Sequence, residues 1–190
     1  IITRIKGTRT CIIVIIYKII ASCTFITEVE ILRSHSVVNA CIRNRATKEI
    51  SAINSTAKLD WHPGSGLLIS QPEVCNNFNI YFDLYRLNEK TTELSRLTKC
   101  SRYSDAKWSQ DGQSIFSLKS EQSIYALDQL SKDGKLLENI WKGEDEQVIS
   151  QFDVSADNQK ILFSIKQPNS TRFQLGEYSL ASKKLNLLTK

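Results

Sequence analysis

No methionine occurs anywhere in this sequence, and histidine, proline and glycine are scarce, at two, three and seven residues. Each scarcity excludes something. A chain that begins Ile1-Ile2-Thr3 without a methionine is not expected to start at its translation start, so it reads as a processed or partial chain. Two histidines, His35 and His62, and no C-x-x-C pair leave no zinc-ligand set of the usual spacing. Five cysteines, Cys11, Cys23, Cys41, Cys75 and Cys100, are an odd number at wide, irregular intervals. Buried or free thiols are therefore expected in preference to a disulfide framework, which normally shows an even count. No H-E-x-x-H is present, and Gly64-Ser65-Gly66 lacks the G-x-S-x-G spacing of a nucleophile elbow. No catalytic residue, cofactor or metal site is expected. Low-complexity tracts are missing too, and a composition 41% apolar and 24% charged is that of an ordinary globular chain.

The charge is unevenly placed. Residues 1–60 hold nine Lys/Arg against four Asp/Glu, whereas residues 61–190 hold sixteen of each, so the whole surplus of +5 is N-terminal. The balanced part lacks the clustered basic surface that phosphate recognition needs, and nucleic acid is not an expected partner there. Behind Arg4, Lys6 and Arg9 runs an apolar stretch, residues 11–23, CIIVIIYKIIASC. It is short of the roughly 20 residues that span a bilayer, and its length fits the core of a signal peptide. Its ending Ile20-Ala21-Ser22-Cys23 resembles a bacterial lipobox, while Lys18 interrupts the apolar run. Two readings stand side by side: an export signal or membrane anchor, and a buried strand or helix favoured by the β-branched residues. Residues 24–56 show no clean period and read as irregular strands and loops, completing an N-terminal segment of residues 1–56.

From residue 57 onward the chain repeats itself. Ala57-Lys58-Leu59-Asp60-Trp61-His62-Pro63-Gly64-Ser65-Gly66-Leu67-Leu68-Ile69 aligns with Asp105-Ala106-Lys107-Trp108-Ser109-Gln110-Asp111-Gly112-Gln113-Ser114-Ile115-Phe116 and with Gln151-Phe152-Asp153-Val154-Ser155-Ala156-Asp157-Asn158-Gln159-Lys160-Ile161-Leu162-Phe163. The anchors Trp61, Trp108 and Val154 lie 47 and 46 residues apart, the period of a four-stranded propeller blade. Within each unit an alternating strand reaches the anchor, a two-residue turn of Gly, Asp or Asn follows, and a short apolar strand returns. Third strands, such as Ile80-Tyr81-Phe82-Asp83-Leu84-Tyr85-Arg86-Leu87 and Ser123-Ile124-Tyr125-Ala126-Leu127-Asp128, and fourth strands, such as Leu94-Ser95-Arg96-Leu97-Thr98 and Leu185-Asn186-Leu187-Leu188-Thr189, close each unit. The expected fold is all-β: a β-propeller of four-stranded antiparallel blades at about residues 57–99, 103–142 and 150–190. Three blades leave unpaired edges, so a partial, open propeller is expected.

The phrase Leu97-Thr98, then Trp108-Ser109-Gln110-Asp111-Gly112 and an apolar strand, resembles the WD-like repeat of the TolB-like six-bladed propeller family, where Leu-Thr, a short loop, Trp-Ser-Pro-Asp-Gly and an apolar strand follow one another. Gln110 replaces the proline, Pro63 keeps it without the Asp-Gly, and Val154-Ser155-Ala156-Asp157-Asn158 keeps only Ser-x-Asp. The resemblance implies a bacterial, periplasmic or envelope-associated protein that binds other proteins and catalyses nothing. Two further classes stay open: the propeller of a prolyl-oligopeptidase-like hydrolase, and the sensor of a membrane-bound CadC-type winged-helix regulator.

Weighed residue by residue, packing explains more than chemistry. Trp61, Trp108 and Val154 share a position where a large side chain fills the gap between blades, and Asp111 and Gly112 read as turn chemistry. His62, next to an anchor at a turn, reads as a surface residue. The loop around Asn76-Asn77 and the acidic run Glu144, Asp145 and Glu146 are the candidate partner-binding loops, because loops carry binding on a rigid scaffold. Membrane attachment, if any, falls to residues 11–23.

Overall fold

The computed structural model describes residues 2–7, 10–16, 30–34, 37–41, 48–50, 53, 56–88, 91 and 93–189. It divides into two compact units, Ile1–Ala57 and Lys58–Lys190. In the first, β1 (Ile2–Gly7), β2 (Thr10–Ile16), β3 (Glu30–Ser34), β4 (Val37–Cys41) and β5 (Lys48–Ile50) form one sheet in sequence order. Neighbours are antiparallel except β2 and β3, which run parallel. The apolar run that allowed two readings is a strand over Thr10–Ile16, and its remainder, residues 17–23, lies outside the described residues. No helix among the described residues is long and apolar enough to cross a membrane.

The second unit is three successive four-stranded antiparallel sheets, each in plain sequence order. Blade 1 is β6 (Lys58–His62), β7 (Gly66–Cys75), β8 (Asn79–Leu87) and β9 (Leu94–Arg96). Blade 2 is β10 (Tyr103–Trp108), β11 (Ser114–Glu121), β12 (Ile124–Ser131) and β13 (Leu136–Lys142). Blade 3 is β14 (Val148–Val154), β15 (Lys160–Lys166), β16 (Gln174–Ser179) and β17 (Lys184–Leu187). Alternation along the strands explains how the sheets stack. On β11, Ile115 joins Leu68, Leu84, Tyr103, Ala106, Trp108 and Leu130 in one core cluster, shared by blades 1 and 2. Phe116 and Leu118 join Ile149, Phe152, Ile161, Phe163 and Ile165 in another, shared by blades 2 and 3. Successive residues of a strand point to opposite faces, so the middle blade feeds both cores and the unit is a partial, open stack of blades.

The expected two-residue turn is not what joins the first two strands of a blade. In blade 2 the Ser109 amide donates to Ser114 O and the Gly112 amide to Ser109 O, which encloses a four-residue loop. Side chains build it. Ser109 Oγ donates to Asp111 Oδ1 at 2.6 Å, and the same oxygen accepts the Gln113 amide at 3.0 Å. Ser109 Oγ also accepts the Ser114 amide. Blade 3 repeats the network with Ser155, Asp157, Gln159 and Lys160 in the same roles. Serine and aspartate side chains bonding their own backbone stabilise the longer loop. Gly112 at φ 66° and Asn158 at φ 56° occupy its left-handed position.

Candidate binding interface

Strand direction sorts the loops onto two ends of the blades. One end carries the turns after the first strands and the turns between third and fourth strands. The other carries the hairpin tips between second and third strands and the connections from blade to blade. The repeat anchors belong to the first end, and the structure shows what each does there.

Trp108 is buried, and its Nε1 donates across the blade boundary to Gly66 O at 3.0 Å. Val154 fills the same slot toward blade 2 and is buried within the shared cluster. Trp61 holds this slot on the face of blade 1 turned away from blade 2 and is half-buried. Gly112 is needed for closeness as well as for its φ, because a Cβ there would overlap Ser65 Oγ and the His62 ring. His62 reaches over instead of facing solvent alone. Its Nε2 lies 3.1 Å from Gln110 O, and its Nδ1 lies 3.2 Å from the Gly64 amide nitrogen. Ser65 Oγ donates to Gly112 O at 2.8 Å. One blade further, the Gln110 amide donates to Asn158 Oδ1 at 2.9 Å. The first-strand turns of three blades are thus stitched together.

The innermost strands carry a charge lattice. Lys58 Nζ pairs with Asp105 at 3.0 Å and Lys107 Nζ with Asp60 at 3.5 Å. Asp60 Oδ2 also accepts the Trp108 amide at 2.8 Å. Burial pushes the Asp60 carboxyl above its ordinary value, the Lys107 charge and the Trp108 amide oppose this, and Asp153 adds to it. Asp111 lies below its ordinary value because the Ser109 hydroxyl and the Gln113 amide bond its charged form. These groups join blades and shape turns.

At the other end stand the sequence's candidate loops. Glu144, Asp145 and Glu146 are exposed between β13 and β14. None of their carboxylates is in an ion pair among the described residues. The loop is held by its backbone: the Glu144 amide donates to the buried Gln147 side chain, whose amide donates to Gln167 Oε1. Asn76 and Asn77, both at positive φ, form the tip of the β7–β8 hairpin with Phe78.

The cysteine expectation needs correcting. Cys75 and Cys100 are joined by a disulfide, with Cα atoms 5.6 Å apart. The bond ties the base of the β7–β8 tip to the connection from blade 1 to blade 2. Its surroundings are as tightly bonded. The buried Asp83 accepts from Arg96 Nη2 at 2.6 Å, Thr98 Oγ1 at 3.0 Å, the Cys100 amide at 2.9 Å and the Ser101 amide at 3.0 Å. Thr98 Oγ1 also accepts the Leu84 amide. The Leu97-Thr98 phrase of the repeat is therefore a latch that ends a blade.

Solved structures share this arrangement. TolB from Acinetobacter baumannii matches with a TM-score of 0.58 at 15% identity, over 80% of this chain and 37% of that one. A protein assigned as TolB from Agrobacterium tumefaciens matches with a TM-score of 0.57 at 13% identity, over 82% of this chain and 63% of that one. The fold is a partial TolB-like β-propeller. The periplasmic gluconolactonase PpgL of Pseudomonas aeruginosa is also similar, with a TM-score of 0.51 at 12% identity over 81% of this chain and 51% of that one. No protein-family model matches the sequence, and no curated protein matches it. The TolB-like chain spans 37% and 63% of the two TolB structures, so the likeness is one of fold over part of their length.

Proposed function

We propose that this TolB-like partial propeller is a non-catalytic protein-binding module of the cell envelope. Its docking surface is the end of the blades that carries residues 76–78 and Glu144, Asp145 and Glu146. The observation that carries this reading is Phe78. It is 91% exposed at a hairpin tip, with Val74 and Ile80 also exposed on the flanking strands. An apolar cluster held out in water is costly for a lone protein and marks a contact surface. Here the hairpin base is covalently fixed, so little ordering entropy remains to oppose docking, and a rigid aromatic is a typical binding anchor. The acidic loop at the same end adds long-range steering toward a basic partner. The disulfide supports an oxidising compartment such as the periplasm.

The gluconolactonase likeness favours a second reading, a catalytic propeller, because one fold hosts unrelated functions. A pull-down from an envelope extract separates the two. Phe78→Ser should lower partner recovery about tenfold, an effect of one lost anchor. Charge reversal of Glu144, Asp145 and Glu146 should lower recovery most at low salt, while folding stays within about 0.5 kcal/mol. Equal recovery by all three proteins would remove this surface. Lactone or peptide turnover abolished by a single Ser or His substitution would replace binding by catalysis.

A further inference from the structure

A cleft of about 390 Å³ opens at the end of the blades opposite the proposed docking surface, between blades 1 and 2. That volume lies within the range of small-molecule sites. Its walls come from the Pro63–Gly66 turn, the Gly112-Gln113 turn, Arg86 and Leu87 of β8, and Lys132 in the β12–β13 turn. Two features set it apart. The charged lining residues are both cations, Arg86 and Lys132, and no carboxylate lines it among the described residues. Neither cation is in an ion pair among the described residues.

The walls are also preformed. Ser65 bonded to Gly112 O, His62 bonded to Gln110 O and Trp108 Nε1 bonded to Gly66 O lock the two turns at a fixed separation. Arg86 is half-buried and lies opposite the buried Leu68, on the face of blade 1 that packs against blade 2. A partly desolvated guanidinium presents a planar fork to two oxygens, and an ammonium across the cleft supplies a point charge.

We propose that this cleft binds a small oxyanionic ligand, a carboxylate or phosphate group held by Arg86 and balanced by Lys132. Citrate and inorganic phosphate serve as the two probes, titrated calorimetrically into the disulfide-intact chain at low salt, with glucose as the neutral control. At least one anion should bind saturably with Kd below about 1 mM, a modest value for one forked contact in a preformed site, and glucose should not. Arg86→Gln should weaken binding about tenfold or more. Lys132→Glu, on an exposed turn, should weaken it similarly with no change in melting temperature, which covers the case of an unfolded Arg86 variant. Charge reversal at Glu144, Asp145 and Glu146 should leave anion binding unchanged, because that loop lies at the other end. Citrate binding without phosphate binding identifies the ligand as a carboxylate, and the reverse identifies a phosphate. Absence of saturable binding by either anion at about 10 mM, or an affinity in both variants equal to that of the unaltered chain, overturns the proposal.

Discussion

Leu127 in blade 2 and Leu175 in blade 3 occupy the same position of the repeat, yet Leu127 is fully buried and Leu175 is 50% exposed. Phe116 and Leu162 form a second such pair, at 2% and 44%. The turn and the anchor position of the two blades agree. Both close their first turn with a Ser and an Asp side chain, and both send their first-strand anchor into the preceding blade. The difference lies in what stands on the far face: blade 3 covers it for blade 2, whereas no described blade covers it for blade 3. A blade therefore encodes half of two cores and no complete one. In repeat proteins of this kind stability is a sum over neighbours, and identical positions take their energy from context.

The sharpest break of the comparison is a set of three truncations. Phe116→Ala should cost about 3–5 kcal/mol, the range for a fully buried aromatic, and Trp108→Ala should cost the same. Leu175→Ala should cost less than about 1 kcal/mol, as a half-exposed residue does. Denaturant unfolding measures all three. A Leu175→Ala cost near that of Phe116→Ala would mean that the far face of blade 3 is covered in solution, and the contrast between blades would fail.

Blade 1 alone carries the described disulfide, which sharpens the comparison in a different way. Cys75 and Cys100 are 25 residues apart, and closing a loop of that size should stabilise by about 3–4 kcal/mol through the unfolded chain. Unfolding with and without reductant tests it. A loss below about 1 kcal/mol would show that Asp83, with its four donors, already orders the connection. Smaller still is the contrast at the left-handed turn position. Gly112→Ala should cost about 1–3 kcal/mol, since strain and overlap with blade 1 act together. Asn158→Gly keeps the backbone and loses only the acceptor for Gln110, at about 0.5–1.5 kcal/mol. No measurable cost for either would mean that the turns do not touch across blades.

Much of this was legible in the sequence. The 47- and 46-residue spacing located the blades because the period of a repeat survives the decay of its motif. Blade 3 shows why: it lacks the Trp and the Gly, yet Ser155, Asp157 and Asn158 rebuild the same turn. The end of blade 3 carries the same signal. Leu188-Thr189 is a second Leu-Thr latch, with the Leu188 amide donating to Leu175 O and Thr189 Oγ1 accepting the Leu175 amide, as Leu97-Thr98 does on Leu84. The disulfide was hidden by an odd cysteine count and becomes visible only when the hairpin register sets Cys75 opposite Asn79, at the end that the connection crosses. The bond of His62 to the neighbouring turn is not legible in the repeat because the blade 1 turn is one residue shorter, with Trp61 opposite Leu67 where Trp108 faces Ile115 seven positions on. That shift brings the imidazole against the neighbouring turn. Arg86 and Lys132 share a cleft only once two blades are stacked, which no single repeat can reveal.

The smallest expected effect tests whether the Ser-Asp turns of blades 2 and 3 are chemically the same. Asp111 and Asp157 both lie below the ordinary carboxyl value of 3.8, first because a serine hydroxyl bonds the charged form and next because a glutamine amide does. A carboxyl with a lowered folded pKa binds fewer protons folded than unfolded near that pH. Its stabilisation is therefore complete above about pH 5 and is lost as pH falls through the ordinary value toward the lowered one. Both side chains are solvent-exposed, so screening keeps the energy small, and direct titration is a better probe than unfolding. Side-chain carboxyl carbon shifts in NMR should give midpoints below 3.8 for both residues. Ser109→Ala should raise only the Asp111 midpoint and Ser155→Ala only the Asp157 midpoint, by similar amounts. If Ser109→Ala shifts Asp111 while Ser155→Ala leaves Asp157 in place, the two turns share a backbone without sharing its chemistry, and the local equivalence of blades 2 and 3 ends at the hydrogen bonds of the main chain.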